Sequence, residues 1–194
     1  MKLCGLTGGV GMGKSTAAGF LLQLGARVVD TDEIAHALVQ PGQPGLAEIA
    51  ATFGNHFLAA DGQLRRRELA QLVFRDSTAR QKLEAILHPR IRERWSALVE
   101  QWRQENHPLA VVVIPLLFET SADNHFDKII CVACSSATQH ERLATRGWTT
   151  EQSQQRIASQ LPIEQKLAKS HYVVWTEGAT EVSHRQLTAI CQKI

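Results

Sequence analysis

Apolar positions along the chain fall into short continuous runs separated by longer stretches with helical spacing. Leu3-Cys-Gly-Leu-Thr7 is an apolar run that leads into glycines, as a buried strand does. Ser15 to Leu24 then puts Phe20, Leu21 and Leu24 on one helical side, with Gly25 as its stop. Arg27-Val-Val-Asp30 predicts a second short strand ending in Asp30-Thr-Asp32. Ile34, Ala35, Leu38 and Val39 predict a helix that Pro41-Gly42 closes.

Residues 41–108 read as a long, mostly helical stretch between the second and third strands. Leu83, Leu87, Ile91, Trp95, Leu98 and Trp102 repeat there at helical spacing, which suits a core stripe better than a cofactor box. Pro89 removes a backbone donor and disfavours helical angles at His88, so a new helix or a kink is expected at that point. Leu109 to Ile114 is rich in β-branched residues, as buried parallel strands are, and Lys128 to Ala133 is the next strand. Helices follow from about Thr138 to Arg146 and from Glu151 to Gln160, on either side of Gly147. Tyr172-Val-Val-Trp175 predicts a last strand, and Glu181 to Gln192 a closing helix. Strands alternating with helices indicate an α/β domain with a parallel sheet.

Composition narrows the classes. The 194 residues carry 21 Lys+Arg against 19 Asp+Glu, a formal charge of +2, which argues against a nucleic-acid binder that needs a concentrated basic face. Hydrophobic residues at 44% and charged residues at 21% are ordinary globular usage, enough for one domain with insertions. The longest apolar run, Leu109 to Phe118, is far short of a membrane span. No charged-then-apolar leader precedes the glycines at residue 8, so a cytoplasmic protein without membrane association is expected. Cys131 and Cys134 form a C-x-x-C inside an apolar strand-like run, and no second Cys/His pair follows at ligand spacing. Buried free thiols in a reducing compartment are the expected reading.

Gly8-Gly-Val-Gly-Met-Gly-Lys14-Ser15 fits G-x-x-x-x-G-K-[ST] in full, after a strand and opening a helix. Glycines allow the tight turn and aim N–H groups at phosphate oxygens, and the helix start adds its positive dipole end. Lys14 would reach the terminal phosphates and the Ser15 hydroxyl would ligate Mg²⁺. A chance glycine-rich turn is the alternative, disfavoured by the flanking strand and helix. The motif points to a nucleoside triphosphate.

Other signals separate the phosphate-loop classes. Asn124-His-Phe-Asp127 resembles a guanine-selecting N-K-x-D but has His for Lys and precedes a strand, which suggests coincidence. The third strand run ends Ile114-Pro115-Leu-Leu-Phe-Glu119, with its acid delayed relative to a motor ATPase. Asp30 and Asp32 follow the second strand, at the sheet edge where α/β proteins bind ligands. A carboxylate there could take a proton from an attacking hydroxyl or orient Mg²⁺; the alternative is that Asp32 caps the next helix. Arg142, Arg146 and Arg156 bracket Gly147-Trp148 and are either phosphate-closing arginines or a solvated face. The Arg65-Arg66-Arg67 run is of a kind that is usually solvated, though an anionic substrate could use one.

Taken in order, these segments resemble the dephospho-coenzyme A kinase family over essentially the whole chain. The matching pieces are Leu6-Thr-Gly-Gly-Val-Gly-Met-Gly-Lys-Ser-Thr16, Val29-Asp-Thr-Asp32 with Ala35, and His88-Pro-Arg-Ile-Arg92. They continue with Val113-Ile-Pro-Leu-Leu-Phe-Glu119, Gln139-His-Glu-Arg-Leu-Ala-Thr-Arg146 and Arg156-Ile-Ala-Ser-Gln160. The resemblance implies an α/β, P-loop kinase-like parallel sheet flanked by helices, with a helical substrate-binding insertion at about 41–108 and a lid at about 142–160. It implies ATP-dependent phosphorylation of the ribose 3′-hydroxyl of dephospho-coenzyme A, with Mg²⁺ accompanying ATP.

Residue by residue, the resemblance makes Asp32 the base, with Lys14 and Arg142 the other catalytic residues. It makes Gly8, Gly9, Val10, Gly11, Met12, Gly13, Lys14, Ser15 and Thr16 the ATP-binding loop. Asp32, His88, Arg92 and Glu119 would bind the acceptor, His88 being alternatively a structural cap. Arg142, Arg146 and Arg156 would belong to the lid. A monomer or weak homo-oligomer is expected. Two positions depart from the family pattern. Met12 stands where Ser is frequent, and Ser170-His171-Tyr-Val-Val-Trp-Thr176 stands where the family shows Ala-Asp-x-Val-Ile-x-Asn, changing the residues expected beside adenine.

Overall fold

A computed structural model describes residues 1–194. Its five strands are β1 (Lys2–Gly8), β2 (Arg27–Asp30), β3 (Leu109–Val113), β4 (Lys128–Ala133) and β5 (Tyr172–Trp175). The helices are α1 (Lys14–Gln23), α2 (Thr31–Leu38), α3 (Pro44–Phe53), α4 (Arg66–Arg75) and α5 (Ser77–Gln104). They continue with α6 (Ser136–Thr145), α7 (Thr150–Ala158), α8 (Ile163–Lys169) and α9 (Thr180–Cys191). The chain forms two compact units, Met1–Val29 with Gln101–Ile194, and Asp30–Glu100.

The parallel sheet runs β2-β3-β1-β4-β5. β1 lies between β3 and β4, with Leu3 opposite Ala110 and Leu6 opposite Ile130. That position explains its composition: it is covered on both faces, so all but its first residue is buried. On one face Cys4, Leu6, Val111, Val113, Ile130, Val132 and Val174 recur at period two and pack against Ala17 and Leu21 of α1 and Leu187 and Ile190 of α9. Phe20 and Leu24 join this core partly buried, as the helical spacing of α1 predicts.

β5 is an edge strand whose outward residues Val173 and Trp175 are exposed. Gln186 of α9 occupies the outward backbone groups of Trp175. Its Oε1 accepts the Trp175 N–H at 2.9 Å and its Nε2 donates to the Trp175 carbonyl at 2.9 Å.

The Asp30–Glu100 unit is helical and has its own core of Val39, Ile49, Phe57, Leu69 and Ile86, flanked by Phe53, Leu83 and Leu87. The stripe read from the sequence is therefore a packing face. Of the two outcomes expected at Pro89, a new helix is not the one found: α5 is continuous from Ser77 to Gln104 with Pro89 inside it. Losing the Pro89 N–H deprives the Ala85 carbonyl of its helical partner, but residues 85, 88 and 89 are exposed, so water can replace that bond. One turn on, the Arg90 guanidinium donates to the Ile86 carbonyl at 2.7 Å. Of the arginine run, Arg65 and Arg66 are held by backbone carbonyls, at Leu58 and His36 respectively, each at 3.2 Å. α8 was not foreseen, because Ile163–Lys169 spans only seven residues with little apolar periodicity. No helix is long and apolar enough to cross a membrane.

All four cysteines are free; Cys4, Cys131 and Cys134 are buried and Cys191 is partly so. Burial pushes the Cys4 thiol up to about 12 and that of Cys131 to about 11, from an ordinary 9.0. Burial also raises Cys134 and Cys191. Such thiols stay protonated and are poor nucleophiles. Above pH 9.0 the unfolded chain releases these protons while the folded chain keeps them, so stability is full below that pH and declines as pH rises toward 11 and 12. Urea unfolding at about pH 8 and about pH 10 should show this loss, and a Cys4→Ala/Cys131→Ala variant should show a shallower pH slope.

Candidate active site

β1 delivers the chain into the loop at Gly8, and α1 leaves it at Lys14. Gly8 has φ +148°, and a Cβ there would sit 2.4 Å from the Val132 carbonyl oxygen, so no side chain fits. Gly13 caps α1 in the left-handed region, φ +90°. The first helical bond of α1 is the Ala17 N–H to the Gly13 carbonyl at 3.0 Å, so the amides of Lys14, Ser15 and Thr16 lie ahead of the bonded turns. The Ser15 and Thr16 side chains are exposed there. Backbone donors at a helix start make an anion site.

The carbonyls of Gly8, Gly9, Val10 and Met12 are satisfied by the protein. Lys14 Nζ donates to Gly8 at 2.9 Å and Gly9 at 3.0 Å. The Met12 N–H donates to the Gly9 carbonyl at 3.2 Å. Gln139 of α6 donates to the Val10 carbonyl at 2.7 Å, and Gln160, just past α7, accepts the Val10 N–H at 2.9 Å. The Thr176 hydroxyl lies 3.0 Å from the Met12 carbonyl and 3.2 Å from that of Ala133. Met12 itself is buried, so its side chain packs inward while its backbone serves the loop.

Thr176 also accepts from Arg142 Nη1 at 3.0 Å, while Nη2 of the same guanidinium donates to the Thr176 carbonyl. The loop, Arg142 and the segment after β5 are thus joined through one hydroxyl. Next to it, Glu177 accepts from the Ser135 hydroxyl at 2.7 Å, the Ser135 N–H at 2.9 Å and the Thr138 hydroxyl at 2.8 Å. These donors, the Ser135 hydroxyl foremost, hold its carboxyl below the usual range and keep it ionised at the start of α6. At the other departure from the family pattern, His171 Nδ1 accepts the Ile129 N–H at 3.1 Å, an acceptor role that an aspartate could also fill.

The remaining expected residues are more dispersed. Glu119 forms an ion pair at 2.8 Å with Lys166, whose side chain is fully buried, and the same Oε1 accepts the Leu161 N–H at 2.8 Å. Lys166 also donates to the Pro115 carbonyl at 2.8 Å. Arg146 is exposed at the end of α6, and the Arg156 guanidinium lies 5.9 Å from the Trp148 ring centroid.

Asp32 is exposed at the second position of α2. The capping role considered for it belongs to Asp30, whose Oδ1 accepts the Asp32 N–H at 2.8 Å. His88 and Arg92 are exposed one turn apart on α5, and His88, inside the helix, caps nothing. Asp127, the last residue of the apparent guanine motif, accepts the Leu3 N–H at 2.8 Å near the start of β1, the end of that strand away from the loop.

Glu177 and Lys166 were missed as site-supporting residues. The first carries a weak signal in following the last strand. Lys166 carries none, since it sits in a polar helix.

A residue that donates to and accepts from the loop's own neighbours should be costly to blunt. Thr176→Val, which keeps the shape, should lose about 1–3 kcal/mol. Thermal melts should show this as roughly 2–4 °C for each kcal/mol.

The dephospho-CoA kinase (CoaE) family model matches residues 2–181. A dephospho-CoA kinase from Bdellovibrio bacteriovorus is 45% identical over 174 residues, covering 90% of this chain and 87% of its own. The crystal structure of TT1252 from Thermus thermophilus superposes with a TM-score of 0.86 at 31% identity, covering 100% of this chain and 97% of that one. The dephospho-CoA kinase of Campylobacter jejuni shares the fold, with a TM-score of 0.72 at 24% identity over 98% of this chain and 96% of its own. With a phosphate loop set between β1 and α1 of a P-loop kinase sheet and a family match over most of its length, the chain belongs to the dephospho-CoA kinase family.

Proposed function

We propose that this chain transfers the terminal phosphoryl group of ATP to the ribose 3′-hydroxyl of dephospho-coenzyme A, yielding coenzyme A and ADP. The family carries out the ATP-dependent final step of coenzyme A biosynthesis. The observation that carries the reading is the loop Gly8–Ser15, its donors ahead of α1 and its carbonyls tied back into the protein. The triphosphate lies along residues 8–16, where the helix start and Lys14 neutralise its charge.

Ser15 offers a hard hydroxyl oxygen in the open at the start of α1, which suits Mg²⁺, an ion that keeps waters and phosphate oxygens as its other ligands. Bound there with ATP, Mg²⁺ would draw charge from the phosphates.

Asp32 takes the proton of the 3′-hydroxyl as the new O–P bond forms and the bond from the γ-phosphorus to the ADP oxygen breaks. Its exposure and its place two residues beyond the end of β2 support that role. His88 and Arg92, exposed on α5, contact the acceptor. Glu119 acts from behind, since its carboxylate is engaged by Lys166 and Leu161. Arg142, with Arg146 and Arg156 on a lid of about residues 142–160, meets charge spreading over the transferred group. Acceleration comes from positioning and electrostatics, without a covalent enzyme intermediate. The protein acts in the cytoplasm as a monomer or weak homo-oligomer.

The decisive assay supplies ATP·Mg²⁺ with dephospho-coenzyme A, adenosine, AMP or a pantetheine acceptor, and follows ADP release and product mass. Transfer to dephospho-coenzyme A is expected, and its absence would overturn the assignment. Asp32→Asn should lower turnover by about 10² or more while ATP binding persists; near-normal turnover sinks the base. Lys14→Ala should abolish measurable transfer, and an active variant would reject the loop as the triphosphate site.

A further inference from the structure

The stretch from α6 through α7 departs from the phosphate loop and returns to it at a single residue. Gln139, within α6, donates to the Val10 carbonyl at 2.7 Å, and Gln160, two residues past the end of α7, accepts the Val10 N–H at 2.9 Å. These contacts join residues 129 and 150 positions apart in the chain, respectively. Gln139 is 5% exposed, and its helix packs on the loop so closely that a Cβ at Gly11 would lie 3.1 Å from Leu143. The far end is pinned a second time where the Leu161 N–H donates to Glu119, which the buried Lys166 holds.

We propose that Gln139 and Gln160 are positioning residues for phosphoryl transfer. Together they fasten both ends of the segment between them to Val10, so that its arginines approach the triphosphate in fixed register with the loop. The inference rests on reading residues 142–160 as a lid. Arg142 lies three residues beyond Gln139 on the same helix, so the register of that helix against the loop fixes where its guanidinium can reach. Neither glutamine touches the reacting atoms; both act through the loop and the arginine.

The two amides are not interchangeable. A carbonyl only accepts, so Gln139 must present its NH₂ to Val10; an N–H only donates, so Gln160 must present its oxygen. Glutamate in place of Gln160 keeps the acceptor. Glutamate in place of Gln139 loses the donor and sets a carboxylate against a carbonyl.

The test measures kcat, KM for ATP, melting temperature and Val10 amide exchange in wild type, Gln139→Ala, Gln160→Ala, the double alanine variant, Gln139→Glu and Gln160→Glu. Each single alanine variant should lower kcat about tenfold with KM for ATP changed less than about twofold, because register matters in the transition state. Melting should fall by no more than about 5 °C. The double variant should lose less than the product of the singles, as residues acting as a unit do. Gln160→Glu should keep kcat within about threefold of wild type and keep Val10 protected from exchange, whereas Gln139→Glu should be at least as impaired as Gln139→Ala. If wild type transfers phosphate but the alanine variants stay within about twofold in kcat, or the two glutamate variants behave alike, the positioning role is overturned and the kinase assignment stands. If wild type itself transfers nothing, the assignment falls first.

Discussion

A phosphate loop offers N–H groups to its ligand, and most of its carbonyls must then find donors inside the protein without a strand or helix to supply them. An unsatisfied buried carbonyl costs about 1–3 kcal/mol, so this constraint reaches well beyond the loop. Here the donors come from side chains of Lys14, Gln139 and Thr176. The last two belong to α6 and to the segment after β5, far along the chain. A loop that looks like a local motif is therefore a junction where three distant pieces of sequence meet. The same contacts that satisfy its backbone also decide where Arg142 stands.

That junction explains which parts of the site could be read from the sequence. Glycines at 8, 11 and 13 followed by Lys14 and Ser15 are local in sequence, and local steric rules demand them, so they are legible without any structure. The buried strands are legible for a similar reason, since Val111 to Val113 and Ile129 to Val132 leave little choice but a covered sheet. Gln139, Gln160, Thr176 and Glu177 are polar residues in polar surroundings, and only tertiary folding shows what they hold. Glu177 is anchored by a helix start about forty residues before it, which no spacing rule anticipates.

Two helices run against their local sequence for physical reasons. A proline within a helix costs roughly 3 kcal/mol, which favours a new helix or a kink at Pro89. α5 absorbs that cost because its flanks pack into the helical core through Leu83, Ile86 and Leu87 while Pro89 itself faces water. Lys166 of α8 is the second case. A lysine in a short polar helix should be solvated, yet the Pro115 carbonyl and the Glu119 carboxylate replace its water in a fully buried position. A buried pair of this kind adds little net stability, but removing one partner strands the other charge, which fixes the geometry of the segment that follows α7.

The treatment of the edge strand bears on how this protein behaves when crowded. A parallel sheet ending in β5 offers an open row of backbone groups on which another chain could add a strand, the first step toward ordered aggregates. Gln186 fills the outward pair at Trp175, which leaves Val173 as the other outward residue of a strand only four residues long. A ladder needs several consecutive free positions to repay the entropy of a docking strand, and one does not suffice. At β5 the sheet is thereby terminated from within its own chain, and an amide side chain on the closing helix guards that edge against polymerisation.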